Sequence, residues 1–174
     1  MQARGIVRRI DELGRVVIPK ELRRTLKIRE GEQLEIFAEQ RGVMICKYSA
    51  VKSILDFVRE YADAINSTTG HTILVSDKDN YIYGVGDMAK NYRMKPISEC
   101  VQDIIDSRKS EIRNDNFINL TSGDNMDYKG EIIIPIMSGG DVYGAIIALS
   151  YKPTMSDSDM MLMKTAKAFF GLQF

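Results

Sequence analysis

The first 48 residues read as a small module in their own right, and that shortness sets the tightest limit on how the chain can fold. Ile6 to Ile10 has the β-branched content of a strand. Asp11-Glu12-Leu13-Gly14-Arg15 is a turn signal carrying a glycine, and Val16-Val17-Ile18 reads as a second, short strand. Pro19 stands at a natural first-helical position, with Leu22 and Leu26 one turn apart in a helix of about two turns from Lys20 to Leu26. Gly31 closes the segment, after which Leu34 to Ala38 and Val43 to Tyr48 form a hairpin pattern across Gln40-Arg41-Gly42. The predicted order is ββαββ. A unit of under about 50 residues buries too little apolar surface to be comfortable alone, and this one has neither a disulfide nor a metal motif to help it. Oligomerisation is the remaining remedy, so two copies are expected to interleave their strands into one shared barrel.

The whole chain carries 24 Lys+Arg and 24 Asp+Glu, with 44% apolar residues. Neutrality argues against a whole-molecule polycation, and the apolar fraction argues against disorder. The zero is unevenly composed. Residues 1–47 hold 11 Lys+Arg against 7 Asp+Glu, whereas residues 48–174 hold 13 against 17. Two modules with different partners are therefore expected: residues 1–48, a connecting amphipathic helix over 49–70, and a second domain over 71–174. No apolar run reaches the roughly 18 to 20 residues of a membrane span, and paired arginines precede any apolar stretch. A cytoplasmic protein with no membrane association is the expectation. Cys46 and Cys100 are far apart, and Cys46 reads as a buried free thiol of a strand. One histidine, His71, and no CxxC pair give no metal site.

The basic residues of the first module are patterned. Lys20, Arg23, Arg24 and Lys27 follow i, i+3, i+4, i+7 spacing and form one helical stripe away from Leu22 and Leu26. Arg8, Arg9 and Arg15 lie on the preceding strand and loop, although adjacent Arg8 and Arg9 point to opposite faces of a regular strand. Such a face is either solvated and balanced by Asp11, Glu12 and Glu21 or it binds an anion. In a dimer, two copies of Arg8, Arg15, Arg23 and Arg24 offer about eight phosphate contacts, implying a steep salt dependence of binding.

The segment Gly5 to Leu26, GIVRRIDELGRVVIPKELRRTL, resembles the DNA-binding domain of AbrB-type bacterial transition-state regulators. The resemblance implies a dimeric swapped-hairpin barrel bound to double-stranded DNA, in which the arginines at positions 8, 15, 23 and 24 make contact. Arg9, Lys20 and Lys27 complete the candidate DNA-binding set. The same fold also serves antitoxins, which carry an extended toxin-wrapping tail; here a globular pattern follows.

Beyond residue 48, Val51, Ile54, Val58, Tyr61 and Ile65 give an a/d pattern widened by Leu55 and Ala62, suited either to packing on its own domain or to an intermolecular seam. His71 to Ser76 and Tyr81 to Val85 flank the polar turn Asp77-Lys78-Asp79-Asn80, which lacks the residues of a calcium loop. A helix is expected over Ile97 to Lys109 and a polar stretch over Asn114 to Asp127. Ile132 to Met137 pairs with Val142 to Leu149 across Ser138-Gly139-Gly140-Asp141, and Ser156 with Asp159 makes a capping box for a last helix through Phe170. The expected class is α+β, an antiparallel sheet with flanking helices following the N-terminal barrel. The hairpin and capped helix resemble the end of a GAF sensory domain, which implies a small-molecule ligand without identifying its contacts. Taken whole, the chain resembles sporulation regulators that join the two domains. The implied protein is a non-enzymatic transcriptional regulator, activating or repressing by promoter in the forespore, dimeric through its first domain and tetrameric through its second. The competing reading is a nucleotide- or metabolite-binding sensor or enzyme whose basic face is incidental or antitoxin-like. The lone His71, without a recognisable nucleophile or triad, gives that enzyme no catalytic residues.

Overall fold

The computed structural model describes residues 5–124, 127–152 and 154–174. Asn125 and Met126, within the expected polar stretch, lie outside them, as do Pro153 and the first four residues. Contacts divide the chain into two units, residues 1–48 and 49–174.

In the first unit, α1 spans Lys20–Thr25, with Pro19 as its N-cap instead of its first residue. Two bonds close the helix: Ile28 N–H donates to Arg23 O at 2.7 Å and Lys27 N–H to Arg24 O at 3.2 Å. This is the 6→1, 5→2 pattern of a Schellman end, with Lys27 in the left-handed position at φ 52°. Strands β1 (Leu34–Glu39) and β2 (Gly42–Lys47) form the expected hairpin, Ile36 opposite Ile45 and Phe37 opposite Met44. Glu32 braces it by an ion pair to Lys47 at 2.8 Å. Residues 6–10 and 16–18 join no strand within the chain, so a single copy shows only the helix and hairpin of the expected ββαββ. A strand needs a neighbour to take its N–H and C=O groups, and the described residues of one copy supply none for these segments.

Apolar exposure in this unit matches that shortage of partners. Among its described residues only Pro19 is buried, while Val7, Val17 and Ile36 are 89%, 74% and 69% exposed. Both faces of the hairpin carry apolar residues: Ile36, Val43 and Ile45 on one, Phe37, Met44 and Cys46 beside Glu35 and Glu39 on the other. Cys46 and Cys100 are both free, but Cys46, expected to be buried, is half-buried in its hairpin.

The second unit needs no such help. Helices α2 (Ala50–Ser53) and α3 (Leu55–Thr69) replace the single expected helix, breaking at Ile54, whose φ of −108° and ψ of 23° depart from helical geometry. Strands β3 (Thr72–Ser76), β4 (Tyr81–Val85), β5 (Glu111–Arg113), β6 (Gly130–Ser138) and β7 (Asp141–Ser150) form one antiparallel sheet in the order β4-β3-β7-β6-β5. Helix α4 (Glu99–Ser107) starts at its Ser98 cap, two residues later than expected, and α5 (Asp157–Gly171) starts from the predicted Ser156–Asp159 capping box.

Alternation along the strands builds two cores. Ile132, Ile134 and Ile136 join Ile73, Val75 and Ile146 under α3 and α5; Ile133 and Ile147 join Leu74, Tyr81 and Ile105 on the α4 side. Val51, Ile54, Val58, Ala62 and Ile65 are buried in the first of these cores, so the heptad-like stripe packs on its own sheet. His71 is tied to the start of α5, its Nε2 lying 3.0 Å from Asp159 Oδ1.

Gly144 in β7 is where this sheet tolerates least. A Cβ there would collide with the backbone carbonyl of Ser76 and crowd the Asp77 backbone, neither of which can rotate away. Gly144→Ala is expected to destabilise the second unit by roughly 3 kcal/mol, measured by thermal or denaturant unfolding.

Candidate nucleic-acid interface

The candidate residues fall on three local structures. Arg8 and Arg9 sit on an exposed segment without regular structure, where Arg8 Nη1 donates to the neighbouring Val7 carbonyl at 3.3 Å. Arg15 ends the turn that follows. Lys20, Arg23 and Arg24 project from α1, and the one-turn spacing of Lys20 to Arg23 and Arg24 keeps them together on one exposed face. Lys27 leaves this stripe. The helix has ended before it, and the left-handed turn at Lys27 breaks the 3.6-residue periodicity on which an i+7 placement depends.

The electrostatics separate these cations further. Arg8, Arg9, Lys20, Arg23, Arg24 and Lys27 make no ion pair among the described residues. Arg15 does: its Nε lies 2.7 Å from Asp11 Oδ2. Asp11 Oδ1 also accepts the backbone N–H groups of Leu13 at 3.0 Å and Arg15 at 2.8 Å. The Arg15 backbone and side-chain donors hold the Asp11 carboxyl below its usual range. Sequence reasoning treated Asp11 only as counter-charge; the available signal was an acidic residue four positions before an arginine across a Gly-containing turn. Among the described residues the cations of α1 pair with no acid, so their face attracts anions.

The second unit holds a different site. A cleft of about 190 Å³ is lined by Tyr92, Lys95, Thr121, Asp124 and Tyr151, among others. Asp124 is bound on both oxygens, by the Tyr92 hydroxyl at 2.8 Å and the Leu120 N–H at 2.9 Å. Elsewhere in the unit Glu131 is fully buried: Oε1 accepts from Arg113 Nη1 at 3.1 Å and from Ile118 N–H at 3.3 Å, and Oε2 has no hydrogen-bond partner among the described residues. Burial raises the Glu131 carboxyl above its usual range against the opposing pull of Arg113. These contacts fasten the loop after β5 to the sheet. Among the described residues no His, Cys, Asp and Glu grouping could hold a metal ion, and no helix is long and apolar enough to cross a membrane.

The two units thus define a class, an exposed basic module joined to a helix-covered antiparallel sheet, and comparison with known proteins narrows it. The chain belongs to the stage V sporulation protein T family. Residues 53–174 match the model described as stage V sporulation protein T C-terminal, transcription factor, and residues 7–53 match the antidote-toxin recognition MazE, bacterial antitoxin model. The stage V sporulation protein T of Bacillus subtilis (strain 168) is 43% identical across 99% of this chain and 98% of that protein. The transition state regulatory protein AbrB of the same organism is 56% identical over 48 residues, 28% of this chain and 50% of that protein. In structure, the GAF-B domain of DevS from Mycobacterium smegmatis aligns with a TM-score of 0.56 at 11% identity, covering 68% of this chain and 90% of that one. At that identity the likeness establishes a GAF-type fold and nothing of its ligand.

The uncovered hairpin faces make dimerisation testable. Ile36→Asp is harmless if this face stays in water. Burial against a second copy instead predicts a lower mass by light scattering and loss of DNA binding in the full chain.

Proposed function

We infer that the chain is a DNA-binding transcriptional regulator of bacterial sporulation, dimeric through its first unit. The observation that carries this reading is the unpaired cationic face of Lys20, Arg23 and Arg24 on a module that is incomplete as a single copy. Pairing two copies doubles the face and gives it the two-fold character that a duplex can meet at two places. Arg8, Arg9 and Lys27 flank it as additional contacts with the DNA backbone. The excess of acidic residues after residue 47 keeps binding to the first unit.

The second unit serves, in this proposal, as the regulatory and assembly domain. It binds a small molecule whose occupancy alters DNA affinity, and it joins dimers into a tetramer. Phe57 on α3 and Leu172 and Phe174 after α5 are large apolar residues left exposed, which favours assembly there. The protein acts in the cytoplasm of the forespore, activating or repressing according to promoter, and is not an enzyme. Against the antitoxin reading stands the folded sheet that follows residue 48 where an extended toxin-wrapping tail belongs.

Arg23→Ala combined with Arg24→Ala tests the reading. In a dimer it removes four phosphate contacts, so the plot of log affinity against log salt should flatten by roughly 3 to 4 while light-scattering mass stays unchanged. Unchanged affinity and slope would exclude α1 as the DNA-binding face.

A further inference from the structure

The turn from Asp11 to Arg15 is more tightly organised than a solvated loop requires. Gly14 N–H donates to Asp11 O at 2.9 Å and Asp11 N–H to Arg15 O at 3.0 Å, closing the turn through the backbone. Gly14 sits at φ 76°, a conformation that favours glycine. The Asp11 side chain then takes three donors: the N–H groups of Leu13 and Arg15, and Arg15 Nε at 2.7 Å. That last bond leaves both Nη groups of Arg15 without a hydrogen bond among the described residues, on a side chain 72% exposed.

A guanidinium held by its Nε presents Nη1 and Nη2 outward as a planar two-donor fork. The same pairing makes Arg15 a poor phosphate ligand. The Asp11–Arg15 pair has no net charge, so it releases few counterions, and the carboxylate repels an approaching phosphate oxygen. Two acceptors on an uncharged edge suit it better. In the major groove guanine offers O6 and N7 at the spacing that an arginine fork bridges. Prior fixation of the side chain also lowers the entropic cost of forming both bonds.

We propose that Asp11 and Arg15 form a prepositioned, charge-neutral reading pair: Arg15 donates from its two Nη groups to one base edge of double-stranded DNA, guanine fitting best, and Asp11 is the positioning residue that aims it. This rests on the DNA-binding reading above and divides the labour within it. Arg8, Arg23 and Arg24, which lack acidic partners, supply phosphate affinity; Arg15 supplies sequence preference. The dimer's phosphate contacts from the four principal arginines then fall from about eight to about six.

The sign of the Asp11 effect makes the pair testable. Removing an exposed negative charge beside DNA should, by electrostatics alone, tighten binding to every duplex. The full chain would be titrated against a duplex that it selects from a random pool and against a scrambled duplex, across a salt series. Asp11→Asn keeps an oxygen for the Leu13 and Arg15 amides but removes the charge that holds Nε. It is expected to lose about tenfold of the preference for the selected duplex, with scrambled binding unchanged or tighter. Arg15→Ala should lose the same preference, and the double variant no more. Arg15→Lys, which keeps the charge and lacks the fork, should lose preference with its salt slope intact. Three results would overturn the pair: Asp11→Asn tightening both duplexes alike, losses that add in full in the double variant, or Arg15→Lys retaining preference. If the unaltered chain binds no duplex, the DNA-binding reading fails with it; a chain that binds and loses affinity in the Arg23/Arg24 variant while keeping its preference in Asp11→Asn refutes the pair alone.

Discussion

Unburied apolar surface in the first 48 residues is the constraint on which the rest depends. Val7, Val17, Ile36 and Ile45 face outward in a single copy, and both sides of the β1–β2 hairpin carry apolar residues. Water does not favour that arrangement, and among the described residues of so small a unit only Pro19 is buried. A second copy solves the problem and has a functional consequence. It brings two α1 helices, each with unpaired Lys20, Arg23 and Arg24, into one molecule. Folding and DNA binding therefore share one cause, because the association that buries the apolar residues also makes the cationic surface divalent.

The second unit shows the opposite economy. Its five-stranded sheet is covered on both faces, by α3 and α5 on one side and by α4 on the other, and its central strands are buried along most of their length. A self-sufficient fold can carry loops and clefts unnecessary for its stability. Glu131 shows how its irregular part is secured. One carboxylate oxygen holds both Arg113 and the Ile118 amide, anchoring a polar stretch that has few apolar residues of its own.

Elements defined by local chemistry were legible in the sequence. Gly139-Gly140 marked the β6–β7 hairpin, the apolar runs Ile132 to Met137 and Val142 to Leu149 marked its two strands, and Ser156 and Asp159 marked the start of α5. Features set by one residue's conformation or by distant partners were not. Lys27 belongs to the cationic stripe by spacing, but a left-handed turn removes it, and lysine gives no warning of that as glycine would. The break at Ile54 interrupts an unbroken helical pattern, and β5 has only three residues, too few for alternation to register. The strands expected at 6–10 and 16–18 have the right composition but depend on a neighbour outside the chain. Within the candidate set, the pairing of Asp11 with Arg15 was not legible, because an ion pair across a turn needs coordinates to be seen.

Amide hydrogen exchange on the full chain tests the shared barrel most directly. Residues 6–10 and 16–18 have no strand partner within one copy, so a monomeric first unit leaves their N–H groups open to solvent. In a barrel built from two copies the same amides are strand-paired, and slow exchange that becomes fast on dilution below the dimer's dissociation range is the expected result. Exchange at unprotected rates at every protein concentration, in a chain whose second unit remains protected, would contradict it.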